Sequence, residues 1–437
     1  MAAPHALNRT KDMKHYEKNI QRSDTMKARI FLLWCLMAIL VCAWMPEDAL
    51  ADVYVQCPGD SNGDGIPDPF LDPPANTVSN PDFRPYVRCQ HLAGGDGFVT
   101  MADGAPMYIF GFSDVRGVPP ADVMSTGMLN ANFAAPTIFA DEGNDLYVTL
   151  TNVGMTVRPD LFDPHTVHFH GYANAASIFD GEPMASLSIG MGSSITYYYN
   201  INEPGTYMYH CHVEATEHMQ MGMLGNLYIR PAQNGQAFGG CASLLYAYND
   251  GDGTTCYDVE FPVQIHAFDP VFHAADERVQ PLPFAAMKDT YPMLNGRGYP
   301  DTVNPGNLPA PRDGDGNILN SGQSPQKVSA LITATAGQKV LLRFSSLSTT
   351  SYHTLQTTLG VPMRVVGKDA RLLRGPNGED LTYLTNSITV GGGESTDGII
   401  DTTGLAPGTY FLYTTNLDHL SNEAQDFGGM MTEIVIN

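Results

Sequence analysis

Residues 165–171 read HTVHFHG and residues 205–223 read GTYMYHCHVEATEHMQMGM, and between them they hold six of the thirteen histidines, a cysteine and a cluster of methionines. Taken as strands, the two segments sort by side, because successive side chains alternate faces. His210 and His212 project one way and Cys211 the other, while His168 and His170, also two apart, share a face. One short strand pair can therefore present four imidazoles on one surface and a thiolate on the opposite one. On the thiolate side, Cys211, His218 and Met223 lie in one loop-bearing segment, and His165 can arrive from the neighbouring strand. Two imidazoles, a thiolate and a weak axial thioether are the ligand signature of a blue, type 1 copper site. A buried cysteine among unrelated histidines would not account for the period of two.

HTVHFHG, the Asp180-Gly181-Glu182-Pro183 that follows it, GTYMYHCH and the spacing from His218 to Met223 resemble the multicopper oxidases, with copper nitrite reductases as a related group of cupredoxins. The resemblance implies that His165, Cys211, His218 and Met223 hold type 1 copper. It implies that His168, His170, His210 and His212 are one half of a type 2/type 3 trinuclear cluster. Six residues separate Cys211 from His218, longer than the usual loop of the family, which puts Met223 rather than Met219 or Met221 at the axial position. An oxidase of this kind takes single electrons from a small-molecule or metal-ion reductant at copper near His218, on the exposed side of the type 1 site. It passes them through Cys211 to His210 and His212, and reduces dioxygen at the second centre.

Around these segments the pattern is all-β. Short runs rich in Val, Tyr, Ile and Thr, such as MYIFGF, LYVTLTNV, ITYYYNI and GNLYIR, are separated by Gly, Pro, Asn and Asp, the rhythm of a sandwich. Residues 98–232 suffice for one copper-binding, cupredoxin-like domain, and 233–256 read as a linker. A second copy occupies 257–437, because Ala336–Leu342 answers Glu142–Val148 and Gly408-Thr409-Tyr410 answers Gly205-Thr206-Tyr207. The expected architecture is two tandem Greek-key β-sandwiches. Carried forward, the alignment sets Tyr413, Thr414 and Thr415 on His210, Cys211 and His212, so no type 1 site can form in the second domain. That domain resembles the copper-free middle domain of larger multicopper oxidases, down to NGRGYPDT at 295–302 and GGMM at 428–431.

A complete trinuclear cluster in the family uses about eight histidines, and the first domain supplies four. His91, His266, His273, His353 and His419 remain, none in an HxH pair, and each is expected to be solvated or hydrogen-bonded. His353 and His419 are the best placed of them to contribute across an interface, as in two-domain relatives that work as homotrimers. Three function classes follow: a multicopper oxidase, a nitrite-reductase-like copper enzyme, and a copper-binding or electron-transfer protein without turnover. Against the second, His168 sits where that group places an acid and His212 where it has a small residue. No P-loop, dinucleotide glycine pattern or Gly-x-Ser-x-Gly elbow is present.

The N-terminal residues 1–51 carry a basic Met26-Lys27-Ala28-Arg29, an apolar run and a small-residue Ala49-Leu50-Ala51, the pattern of a secretory signal peptide for a periplasmic or secreted protein. The remaining cysteines agree with export: with Cys211 assigned to copper, Cys57 with Cys89 and Cys241 with Cys256 pair by proximity in an oxidising compartment. Residues 52–97 form a loop-rich opening segment in which Asp60, Asn62, Asp64 and Asp68 make a DxNxDGxxD run. Its alternating oxygens suit a calcium loop, and the plain alternative is an Asp/Gly-rich turn. The chain has 46 acidic and 23 basic residues, a net charge of −23, which repels nucleic acid.

Overall fold

The computed structural model describes residues 53–67, 86–172 and 175–437. The signal peptide expected in residues 1–51 therefore lies outside the described residues, as does Asp68. No described helix is long and apolar enough to cross a membrane.

Two β-sandwiches follow one another. In the first, β1 (Val87–Thr100), β2 (Pro106–Asp114), β4 (Asp145–Gly154) and β6 (Ser194–Asn200) form a sheet in the order β2-β1-β4-β6. It faces a second sheet of β3 (Ile138–Asp141), β8 (Leu224–Arg230), β7 (Gly205–His210) and β5 (His168–Phe169), in the order β3-β8-β7-β5. Leu92, Phe110, Val148 and Tyr197 from one sheet meet Phe169, Tyr207, Tyr209 and Leu227 from the other in a single buried core. This interdigitation of inward-facing side chains is what holds aligned sheets together.

The first strand begins at Val87, ahead of the expected boundary at 98. Its sequence, VRCQHLAGGDGFVT, has no apolar alternation to announce it. It is extended because β2 and β4 pair with it on both sides and because Cys89 is bonded to Cys57. A short hairpin of β9 (Leu245–Tyr246) and β10 (Cys256–Tyr257) closed by Cys241–Cys256 links the sandwiches. Both disulfides are the pairs expected from proximity.

The second sandwich repeats the first. β11 (Val259–Phe268), β12 (Tyr291–Leu294), β14 (Lys339–Ser346), β16 (Met363–Lys368), β17 (Arg371–Leu372) and β20 (Ser395–Asp401) make a sheet in the order β12-β11-β14-β20-β16-β17, with β18 (Tyr383–Thr385) on β16. β13 (Ile332–Ala334), β15 (His353–Thr357), β19 (Ser387–Val390), β21 (Gly408–Thr414) and β22 (Met431–Ile436) make the other, in the order β13-β22-β21-β15-β19. The chain is mostly β, as its sequence implies. Like β1 and β4, β11 and β14 pair in parallel.

The sandwiches meet through a buried polar network. Arg343, fully buried, donates to Glu260 at 2.8 Å and to the Thr206 hydroxyl at 3.0 Å, and Thr206 and Tyr248 both donate to Asp397 at 2.6 Å. Pairing of its charge with Glu260 and Asp397 is what makes the buried guanidinium tolerable, although Nη2 has no hydrogen-bond partner. The network seats β7 on the second sandwich just upstream of His210.

Candidate metal centre

β5 and β7 are antiparallel, with His168 opposite His210. β7 ends there, and the next residue turns its side chain to the other side, into the core. Cys211 is the one free cysteine among the described residues, and it is fully buried. Its sulfur lies 3.1 Å from His218 Nδ1 and 3.9 Å from His165 Nδ1, and it accepts the Thr166 N–H at 3.4 Å. His165 is fixed by a two-way backbone bridge to Ile189. Burial pushes the Cys211 thiol up, but His218 and His165 beside it outweigh burial and hold it well below the ordinary thiol value. Burial pushes His218 down, but the Cys211 sulfur and Asp163 raise it to about 10.

The chain after Cys211 turns at Val213 and Glu214 into a helix, Ala215–Met221, that carries His218. The helix ends at Gly222, whose φ of +111° favours glycine and whose N–H returns to the carbonyls of His218 and Met219. That turn brings Met223 back, its N–H donating to His218 O at 2.8 Å and its carbonyl accepting from Cys211 N at 3.1 Å. At Gly94 a Cβ would stand 3.0 Å from His165 Cδ2 and 3.4 Å from Met223 Cε, so these two side chains converge on one cradle. Met221 is in the core and Met219 lines a different cavity. A thiolate outside any disulfide, two Nδ1 atoms against it and a buried thioether in the same cradle fit the donor set of type 1 copper.

On the opposite side the four imidazoles cluster. Ring centroids of His168 lie 5.5 Å from His170, 5.4 Å from His210 and 4.9 Å from His212, and His170 Nε2 is 2.9 Å from His210 Nε2. Three of the four rings are oriented through their other nitrogen, the arrangement that fixes tautomer and aim in metal sites. His168 Nδ1 meets the Asp180 carbonyl at 2.7 Å, His210 Nδ1 the Cys211 carbonyl at 2.7 Å, and His170 Nδ1 the Gly393 carbonyl at 3.4 Å. Gly181, at φ +79°, lets the chain after Asp180 approach closely: a Cβ there would lie 2.1 Å from Val167 O. His170, His210 and His212 line a cavity of about 340 Å³ whose far wall is Leu347, Ser348, Thr349, Gly392 and Gly393 of the second sandwich. Among the described residues, no imidazole of the second sandwich lines it.

The remaining histidines have other surroundings. His91 meets Thr151 Oγ1 at 2.8 Å, and His273 joins the carbonyls of Tyr108 and Gln220 at 2.6 and 3.0 Å. His266 is buried against Phe133 and Phe268. His353 is buried with Nε2 3.0 Å from Ser348 Oγ and its ring 5.1 Å from that of His419. Burial and the neighbouring His419 push His353 down to about 4.

One expectation is corrected: His218 is not on an exposed side, since its exposure is 0%. A helix of the second sandwich, Pro270–Glu277, packs on Ala215–Met221 through the bond from His273 to Gln220 and puts Phe272 into the first core. Arg158 secures it, donating to the Asp276 carboxylate at 3.0 Å and to Asp160 at 2.8 Å. Asp269 caps this helix by accepting from Val271 and Phe272, with Pro270 in its first turn. That start signal was readable in the sequence. Asp163, whose carboxylate is 3.7 Å from His218 Nε2, carried no such signal.

In the opening segment, Asp60 accepts from the N–H groups of Gly63 and Gly65 at 2.7 Å each, and Asp64 accepts from Ile66 N at 2.9 Å and Asn62 Nδ2 at 3.0 Å. Those bonds, made within the loop itself, describe a side-chain-stabilised turn.

Two stacked sandwiches, the first with a sulfur-centred donor set beneath an imidazole cluster, define a cupredoxin-like fold with two candidate metal sites. Residues 116–234, which contain both candidate ligand sets, match the family model described as multicopper oxidase. The chain is 31% identical over 121 residues to Multicopper oxidase MCE of Talaromyces pinophilus, covering 27% of this chain and 19% of that protein. It is 35% identical over 91 residues to Multicopper oxidase MmcO of Mycobacterium tuberculosis, covering 21% and 16%. The chain thus spans under a fifth of the length of these curated relatives. In fold it is similar to the Blue Copper Oxidase from Nitrosomonas europaea, with a TM-score of 0.57 and 20% identity over 79% of this chain and 85% of that one. The copper nitrite reductase from the same organism has a TM-score of 0.50 at 16% identity, covering 80% of this chain and 93% of that one.

Proposed function

We propose that the protein is an exported copper-dependent oxidase that takes electrons from a small reductant and delivers them to dioxygen. His165, Cys211, His218 and Met223 hold the first metal, and His168, His170, His210 and His212 form the second set. Copper bound at the two sets supplies one-electron acceptance at the first and dioxygen reduction at the second. The observation that carries the reading is the adjacency of the sets: Cys211 is bonded through the main chain to His210 and His212, so a covalent path of a few bonds joins sulfur to imidazole. Asp163, with its side chain 15% exposed and its carboxylate beside His218, is the group through which a reductant couples to the buried ring. The helix Pro270–Glu277 keeps bulky reductants off that ring. The two disulfides support export to an oxidising compartment.

A second reading is favoured by one observation, the lack of a described second-sandwich imidazole in the 340 Å³ cavity. In that reading the protein carries electrons or copper without turnover. Electron paramagnetic resonance of the copper-loaded protein separates the two. A type 1 signal with an additional type 2 signal supports the oxidase, and a neighbouring subunit of a homotrimer then contributes the missing ligands. A type 1 signal alone supports the carrier.

A further inference from the structure

The second sandwich contains a second copy of the cradle around Cys211. In the first sandwich His168 stands opposite His210, and in the second Gln356 stands opposite Tyr413. With Tyr413 on His210 and Thr414 on Cys211, the residue three before each partner matches as well, and His353 falls on His165. Likewise Leu224 stands opposite His210 and Met431 opposite Tyr413, so Met430 falls on Met223.

The local bonds agree with the register. Thr414 N donates to Met430 O at 3.0 Å, where Cys211 N donates to Met223 O at 3.1 Å. Met430 N donates to His419 O at 2.9 Å, where Met223 N donates to His218 O at 2.8 Å. The rings of His353 and His419 are 5.1 Å apart, and those of His165 and His218 are 5.3 Å apart. His353, Thr414 and Met430 are buried to 1% exposure or less. In the first sandwich the two Nδ1 atoms face the Cys211 sulfur. In the second, the Nδ1 atoms of His353 and His419 are buried with no hydrogen-bond partner, while Ser348 holds His353 by its other nitrogen.

We propose that His353, His419 and Met430, with Thr414 where the first sandwich has Cys211, bind a cuprous ion. Imidazole and thioether donors suit that soft monovalent ion, and without a thiolate the site carries no blue chromophore. His419 also lines a cavity of about 780 Å³ in which Asp289, Asp418, Glu423 and Asp426 outnumber the one cation, Lys288. Its acidic walls concentrate cations at the approach to the site. The site lies apart from the electron path proposed above and stands whether or not that path is correct.

The test is an anaerobic titration of the copper-free full chain with Cu(I) against a chromophoric chelator, with the ring nitrogens of His353 and His419 followed by nuclear magnetic resonance. The wild type is expected to take up one equivalent more than M430L, which keeps the core volume, and more than H353Q; both Nδ1 resonances are expected to move with that equivalent. A gain-of-function variant closes the argument: T414C restores the thiolate and about doubles the blue absorption per chain after Cu(II) loading. Wild-type uptake by M430L and H353Q with unmoved ring resonances would overturn the proposal. So would a T414C protein that unfolds at the wild-type temperature, carries the extra thiol and gains no blue absorption.

Discussion

The two sandwiches run the same ladder to different ends. β7 leads into His210, Cys211 and His212, with His168 across from His210, whereas β21 leads into Tyr413, Thr414 and Thr415, with Gln356 across from Tyr413. In the first sandwich the facing pair is two imidazoles, and His210 of that pair lines a cavity. In the second, Gln356 donates to the Tyr413 hydroxyl and the pair closes on itself. The backbone cradle, with its returning methionine and two neighbouring histidines, is common to both. Fold therefore supplies the position, and one side chain at a strand end decides between an anionic sulfur and a neutral hydroxyl.

The sharpest way to break this comparison is C211S, which makes the first cradle chemically like the second. All blue absorption and all turnover should vanish while the unfolding temperature stays near wild type, because both disulfides lie elsewhere. A blue or active C211S protein would contradict the assignment.

Next in size is the roof of the first cradle, the helix Pro270–Glu277. Arg158 is 8% exposed and pairs with Asp276, 2% exposed, so R158A strands a buried carboxylate and should cost about 4 kcal/mol in urea unfolding. A loss below a surface pair's value, roughly 0.5 kcal/mol, would mean the roof is not held this way.

Asp289 probes the mouth beside the second cradle. Burial raises it to about 6, against the pull of Thr350 and Gln220. An acid raised in the folded state is protonated there first. Its contribution is thus complete below about pH 4 and is lost as pH climbs through about 6, on the order of 2 kcal/mol. D289N should flatten that part of the stability-pH curve, and an unchanged curve would refute the cause. The smallest effect belongs to G94A, whose added methyl presses on His165 and Met223. It should shift the blue band and cost about 1 kcal/mol, and an unmoved band would place these side chains elsewhere.

Much of the site was readable because it depends on the two-residue alternation of strands, a local property that sets His210 and His212 against Cys211. The internal repeat was readable from Gly408-Thr409-Tyr410 for the same reason. Other parts depend on what packs against what. The polar, glycine-rich β1 is a strand only because of its neighbours, and the helix Ala215–Met221 begins inside a gap that counted simply as a long loop. His218 is buried against Phe110 of β2 and beside Asp163, both remote from it in sequence. The kinship of His353 with His165 rests on ladder register, since the surrounding residues differ.

The most direct test of the oxidase reading is to reduce the copper-loaded protein without oxygen until its blue band bleaches, and then admit dioxygen. The account predicts that the band returns as dioxygen is consumed, and that removing the His210 imidazole blocks the return while leaving the bleaching step. A wild-type band that stays bleached in air would contradict it and make the protein an electron carrier.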